Sequence, residues 1–230
     1  MNSFCLASTA ALLVAVSSGS ALAATVSSDF TANAEAWTVT TFTDNGAPNF
    51  AVPQAAGFIP TFVAVGGDPD GFIRIADPDD GWTYFIAPAA YRGDQSDKLD
   101  GTLSFSLQHS GGTLVGNPPH AVLKSGSLVL VADAGGPPAL TPNWTRYTID
   151  MVAANWHVGT LAGAVATDAE LLSSLSALDG LFLSAEFITP VVETTGLDSV
   201  SLVAAPVPIP AAGWLLGSAL LGLAARRRKA

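Results

Sequence analysis

The chain has 230 residues, 49 % of them apolar and only 12 % charged, with a formal net charge of −10. All nineteen Asp and Glu lie within residues 24–205, against five of the nine Lys and Arg; that stretch carries 5 − 19 = −14, and the other four basic residues close the chain. Such an acidic body repels phosphate backbones and anionic lipid, which excludes nucleic acid as a partner and leaves neutral polysaccharide, divalent cations or simple solubility.

At the N-terminus, Leu12, Leu13, Val14, Ala15 and Val16 centre an apolar segment, and Ala21-Leu22-Ala23 has the small-x-small pattern that signal peptidase reads. Cleavage is expected after Ala23, with Ala24 as the mature N-terminus. No Lys or Arg precedes the segment, so only the α-amino group supplies positive charge there. The apolar run is shorter than the roughly 20 residues of a membrane span. The only cysteine, Cys5, is expected to leave with this segment. The mature chain then has no disulfide, thiol nucleophile or thiolate metal site.

Two-residue alternation marks strands next, at 37–42, 71–76, 82–87, 101–108, 127–132, 144–151, 181–188 and 197–203. In 101–108, Leu103, Phe105 and Leu107 point one way and Thr102, Ser104 and Ser106 the other. In 144–151, Tyr147, Ile149 and Met151 face inward against Arg146, Thr148 and Asp150. Turn-formers separate the runs: Asp68-Pro69-Asp70-Gly71, Asp77-Pro78-Asp79-Asp80-Gly81, Asn117-Pro118-Pro119 and Gly135-Gly136-Pro137-Pro138. One helix interrupts the pattern. Thr167-Asp168-Ala169-Glu170 is a capping box, Leu171, Leu172, Leu175 and Leu178 recur at helical spacing, and Gly180 is placed to end it. The fold class is therefore all-β, a jelly-roll sandwich with one short helix.

The C-terminal segment has three parts. Val207, Pro208, Ile209, Pro210 and Ala211 form a proline-marked motif, residues 211–225 are apolar, and Arg226, Arg227, Arg228 and Lys229 close the chain. As a helix the apolar part spans about 22 Å, short against a hydrocarbon core of roughly 30 Å. Trp214 at the outer interface and the arginines at the inner one extend it, and four adjacent cations hold the end cytoplasmic with the acidic body outside. This predicts a transmembrane helix. The organisation is a signal peptide over 1–23, a β-sandwich over 24–205 and a proline-marked, membrane-spanning tail over 206–230, which the resemblance given next implies is a sorting signal.

The tail resembles the PEP-CTERM class of bacterial sorting signals, in the variant that reads Val-Pro-Leu-Pro-Ala, with Ile209 where leucine is usual. That resemblance implies an exosortase-type membrane protease as partner, besides signal peptidase and the membrane itself, and delivery to the cell envelope or beyond. The body resembles the laminin B (domain IV) module. The features are Phe30 and Trp37, then Trp82-Thr83-Tyr84-Phe85-Ile86-Ala87-Pro88 leading to Tyr91-Arg92-Gly93-Asp94. They continue through residues 101–107, Trp144-Thr145-Arg146-Tyr147, the leucine helix and residues 196–202. The resemblance implies a jelly-roll module like those of extracellular matrix and carbohydrate binding, without catalysis. It implies a structural or adhesive role, with polysaccharide recognition as the alternative.

Chemistry-bearing residues are sparse. His109, His120 and His157 lack metal-ligand spacing and read as surface or loop residues; no serine sits in a Gly-x-Ser-x-Gly elbow. Glu186 lies among apolar residues on a strand, where it faces solvent or pairs with Arg146 or Arg92. Asn143, after Pro142, is a turn residue. The two Asp-rich loops are dense in hard oxygen ligands, and the jelly-roll resemblance implies a structural Ca2+ joining first strand to last, at Asp29 and Asp198. For a sugar platform, Trp37, Trp82 and Trp144 read as core, which leaves Trp156 and Tyr91 as the exposed aromatics for ligand binding.

Overall fold

A computed structural model describes residues 24–44, 48–79, 81–111, 118–187 and 193–206, and among these the short runs bounded by Gly, Pro and Asp form fourteen strands and one α-helix. The strands are β1 (Thr25–Ser28), β2 (Thr38–Asp44), β3 (Pro48–Phe58), β4 (Thr61–Gly67), β5 (Asp70–Ala76), β6 (Trp82–Ile86) and β7 (Thr102–Ser110). Then come β8 (Ala121–Ser125), β9 (Leu128–Ala132), β10 (Ala139–Leu140), β11 (Thr145–Asp150) and β12 (His157–Val158), the helix α1 (Asp168–Ser176), β13 (Gly180–Ser184) and β14 (Thr194–Val203). The described residues fall within one compact unit, Ala23–Pro206. Ala21, Ala23, Val207, Pro208, Ile209, Pro210, Ala211 and Arg226, Arg227 and Arg228 lie outside them. Among the described residues no helix is long and apolar enough to cross a membrane.

Two seven-stranded sheets form a β-sandwich. The first runs β10-β7-β14-β5-β4, with β1 also paired to β14 and β11 to β7; the second runs β12-β9-β8-β13-β6-β2-β3. Alternation sends Leu103, Phe105, Leu107, Tyr147 and Ile149 from the first sheet against Val39, Phe85, Leu123, Leu130, Leu181 and Leu183 from the second, in one continuous core. The second sheet is apolar on both faces. Its far side carries Phe42, Phe50, Trp82, Tyr84, Val122, Val131 and Phe182, and the rings of Phe42, Phe50, Tyr84 and Phe182 meet edge to face at 5.0–5.8 Å.

The capping box forms as the sequence predicts: Glu170 N–H donates to Thr167 Oγ1 at 3.2 Å, and Thr167 N–H donates to Glu170 Oε2 at 2.8 Å. Leu171 and Leu175 are buried from α1, while Leu172 faces solvent. Gly180 does not end the helix. α1 stops at Ser176, because Leu178 bridges to Gly93 as extended chain and Gly180 opens β13. A second departure concerns β7: Ser104 and Ser106, on its expected solvent side, are buried as well. Ser104 Oγ lies 2.8 Å from Ser201 Oγ, and Ser106 Oγ donates to Asp68 Oδ2 at 2.9 Å, so the β4–β5 turn lies over that face.

Candidate functional site

The first and last strands meet at an acidic junction. Pairing of Ser28 with Val200 brings Asp29, just past β1, toward Asp198 on β14, where a bulge between Asp198 and Ser201 breaks the ladder and Ser199 adopts φ 50°. Asp198 is wholly buried. Its Oδ1 accepts from Ser199 N–H at 2.6 Å and its Oδ2 from Asp68 N–H, while Ser199 Oγ donates to the Asp68 carbonyl. Burial, and then the nearby carboxylates of Asp68 and Asp29, push Asp198 up to about 6 against the pull of its two backbone donors. Asp29 is exposed, and its Oδ1 accepts from Thr31 N–H at 3.2 Å and Thr31 Oγ1 at 3.0 Å. Among the described residues none of these three carboxylates forms an ion pair.

Oxygens crowd this junction. A Cβ on Gly67 would meet the Gly71 carbonyl and would stand 2.5 Å from Asp198 Oδ2 and 2.9 Å from the Asp70 carbonyl. Hard cations are held by such mixtures of carboxylate and carbonyl oxygen. The donor set fits calcium in kind. Among the described residues, however, no three His, Asp or Glu side chains converge closely enough to hold a metal by themselves, so a cation here needs backbone carbonyls or water. In the second Asp-rich loop the carboxylates shape the turn: Asp79 Oδ1 accepts from Gly81 N–H at 2.8 Å and Oδ2 from Thr41 Oγ1 at 2.9 Å.

The histidines and Glu186 sit differently from the sequence expectation. His109 and His120 are buried, not surface residues, because they lie against Phe187, with ring centroids 6.0 and 5.7 Å away. Burial lowers the pKa of both, and for His120 the Asp133 carboxylate, 2.9 Å from Nδ1, opposes that shift. Glu193 Oε2 stands 3.5 Å from His109 Nδ1. Glu186 neither faces solvent nor pairs with an arginine. It is buried and accepts from Thr83 N–H at 2.9 Å, while Arg92 donates to the Ala87 carbonyl and Arg146 to Ser104 Oγ. Asn143 is a turn residue, its N–H donating to the Leu140 carbonyl at 3.0 Å.

The aromatic assignment inverts. Tyr91 and Trp156, expected as an exposed platform, are both buried, with 1 % and 0 % of their surface accessible. A 3-10 turn over Ala89–Tyr91 points Tyr91 inward, edge-on to Trp37 at 5.6 Å, with its hydroxyl on Ser28 Oγ and the Val200 carbonyl. A second 3-10 turn over Ala153–Asn155 does the same for Trp156. Trp37 and Trp82 are buried as expected. Trp144, also read as core, is only partly buried: it lies on the outer face of the first sheet. Its ring meets Phe72 edge to face at 5.2 Å, and its Nε1–H donates to the Gly66 carbonyl at 3.0 Å.

Beside Trp144 that face is hollowed into a cleft of about 280 Å³, lined by Phe72, Arg74, Gln108, Ser110, Thr194 and Gly196, with Thr141 at its rim. Sheet register builds it. Gly196 pairs with Arg74 on one side and Gln108 on the other, and Thr194 pairs with Ser110, so two rows of alternate residues share the face. Gly196 forms the floor because a Cβ there would stand 3.0 Å from Trp144 Cη2 and 3.0 Å from Gln108 Cγ. None of these residues stood out in the sequence. The signal lies in the pairing register, which alternation alone does not give.

Comparison with known proteins places this architecture. A structure titled "L4b Domain of Human Laminin alpha-2" matches at TM-score 0.59 and 16 % identity, over 80 % of this chain and 98 % of that one, and so shares the fold. Two structures of the family 11 carbohydrate-binding module of Clostridium thermocellum align more distantly. One, in complex with a β-1,3-1,4-mixed-linked tetrasaccharide, has TM-score 0.45, 17 % identity and coverage of 81 % and 98 %; the other has 0.42, 13 %, 82 % and 91 %. At those scores neither carries an argument about this chain. No curated protein matches it. The profile of the laminin B (domain IV) family matches residues 84–214, more than half of the chain, from the middle of β6 past β14. The chain therefore belongs to the laminin B (domain IV) family.

Proposed function

We propose that this is an exported, non-catalytic protein of the cell surface or extracellular matrix, with a structural or adhesive role. The observation that carries the reading is the laminin B match running through both sheets of the sandwich. The inventory of polar groups agrees with it. The buried carboxylates accept hydrogen bonds within the fold, and the histidines are packed against Phe187 or held by backbone, as with His157 Nδ1, 3.0 Å from the Gly163 carbonyl. Export follows from the segment over 1–23, cut between Ala23 and Ala24. The motif Val207-Pro208-Ile209-Pro210-Ala211, the apolar stretch and Arg226–Lys229 tether the chain with its end in the cytoplasm until an exosortase-type protease acts. The fold itself is a jelly roll in this reading.

A structural calcium at Asp29 and Asp198 belongs to the same proposal. Its support is that the Asp68 and Asp29 carboxylates act on buried Asp198 with none of the three in an ion pair among the described residues, beside the carbonyls of Asp70 and Gly71 that a cation there would need as further ligands. Antibody labelling of intact, unpermeabilised bacteria tests the central reading. Surface label that disappears with the gene, together with loss of cell-to-matrix attachment restored by added protein, is expected. Label only after permeabilisation contradicts it. A second reading, saccharide binding, is favoured by one observation: the polar cleft beside Trp144 on the outer sheet face.

A further inference from the structure

Resting on the saccharide reading, we infer that the cleft formed by Arg74, Gln108, Ser110, Thr194 and Gly196 is a binding site for one neutral pyranose unit of a polysaccharide. Two features of the cleft lack a partner among the described residues. Gln108 is 4 % exposed, and its Oε1 is buried without a hydrogen-bond donor among the described residues. Buried acceptors are nearly always satisfied, so an orphan on the wall of a cleft is an unfilled acceptor for something that enters. Arg74, on the same row across Gly196, is exposed, and its side chain makes no hydrogen bond or ion pair among the described residues. The other four basic side chains of the sandwich all have partners: Arg92 on the Ala87 carbonyl, Lys98 on Asp97, Lys124 on the Gly126 carbonyl and Arg146 on Ser104. In a body carrying nineteen carboxylates, a cation left unpaired at a cleft stands out.

The ligand chemistry follows from what the walls offer. Gln108 Oε1 needs a donor. The Arg74 guanidinium needs acceptors, and its fork suits two adjacent oxygens. Ser110 Oγ accepts from Thr194 N–H at 3.0 Å and keeps its own proton to donate. The hydroxyls of Thr194 and Thr141 both donate and accept. A ligand that donates and accepts at neighbouring positions is a polyol. Phe72, with Trp144 packed against it and over Gly196, supplies an apolar side for the carbon-bound face of a sugar ring. The volume, about 280 Å³, lies just below the usual range for drug-sized ligands of roughly 300–1,000 Å³, which fits one ring with its chain continuing into solvent. The formal charge of −14 on the body works against a polyanionic glycan, so the unit is neutral.

Calorimetric titration of the full-length protein with neutral tetrasaccharides (hexose, pentose and N-acetylhexosamine series) and with tetragalacturonate tests the assignment. At least one neutral series is expected to bind with Kd of about 10 μM to 1 mM, and tetragalacturonate more weakly. Arg74→Ala weakens that binding at least about 10-fold with an unchanged melting temperature, since Arg74 has no partner to lose. Gln108→Leu weakens it equally and leaves the melting temperature equal or higher, because it removes a buried unsatisfied acceptor. Binding that survives both substitutions overturns the site while leaving the saccharide reading intact. No binding by any of these probes up to about 10 mM overturns both, and tighter binding of tetragalacturonate overturns the neutral assignment.

Discussion

Replacing Trp156 separates a packed core residue from a ligand platform. Its side chain is wholly buried, in the same cluster as Met151, Ala153, Leu171 and Leu175. Truncating a buried Trp to Ala costs about 3–5 kcal/mol in lost transfer energy and cavity. One feature offsets part of this: among the described residues the buried indole Nε1–H has no acceptor, a defect worth about 1–3 kcal/mol that the substitution removes. The expectation for Trp156→Ala is therefore a net loss of about 2 kcal/mol. In a domain of this size each kcal/mol moves the melting temperature by about 2–4 °C, so Trp156→Ala melts roughly 4–8 °C lower. Trp156→Phe keeps most of the buried area and also removes the orphan N–H, so it loses at most about 1.5 kcal/mol. Differential scanning calorimetry of the three proteins measures this directly. If Trp156→Ala melts within about 2 °C of the parent, the packing argument is wrong.

Three further expectations rest on separate features. Thr167→Ala removes the hydroxyl half of the capping box on α1 and lowers stability by about 1 kcal/mol in urea titration, with no change in m-value. Gly67→Ala puts a methyl group against Asp198 Oδ2 and two backbone carbonyls, a loss of about 1–3 kcal/mol, whereas Gly136→Ala, with open space around it, stays within about 0.5 kcal/mol. In EDTA, pH sets two groups in opposition. Asp198, raised to about 6, contributes stability that is fully present below its unfolded pKa and lost as pH rises through 6. His109 and His120, lowered by burial, contribute stability present above their unfolded value and lost as pH falls through their folded ones. Asp198→Asn should therefore lose more stability than the parent between pH 7 and pH 4, by about 2–3 kcal/mol, and parallel curves would refute the assignment.

Local signals carried much of the fold. The alternation in β7 and β11 placed Leu103, Phe105, Leu107, Tyr147, Ile149 and Met151 correctly, since a half-buried strand writes its burial into consecutive residues. The capping box at Thr167 was legible for the same reason: its partners are three residues apart. The edge strands β3 and β4 were missed. They are largely exposed, and Pro48, Pro53, Gly57 and Gly66 interrupt any pattern. β8 was missed because Ala121, Val122 and Leu123 are buried on both faces, which leaves no alternation to read.

The aromatics failed for a long-range reason. Trp156 has polar neighbours in Asn155 and His157, but the preceding 3-10 turn decides where it points. Trp144 stands immediately before β11, yet the turn at Leu140–Asn143 lays it across Gly196, more than fifty residues away in sequence. The cleft was illegible too, because Arg74, Gln108 and Gly196 meet only once β5, β14 and β7 are in register. Asp29 and Asp198 were singled out for a calcium that remains a proposal, and Asp68 and the carbonyls over Gly67, which the same junction adds, came only with the fold.

The proposal as a whole turns on where the acidic sandwich resides, and the intact mass of the native protein in fractionated cells tests that most directly. The account predicts a species that begins at Ala24, in the envelope or the medium. Full-length protein with Met1 and Arg226–Lys229 intact in the cytosol would contradict it.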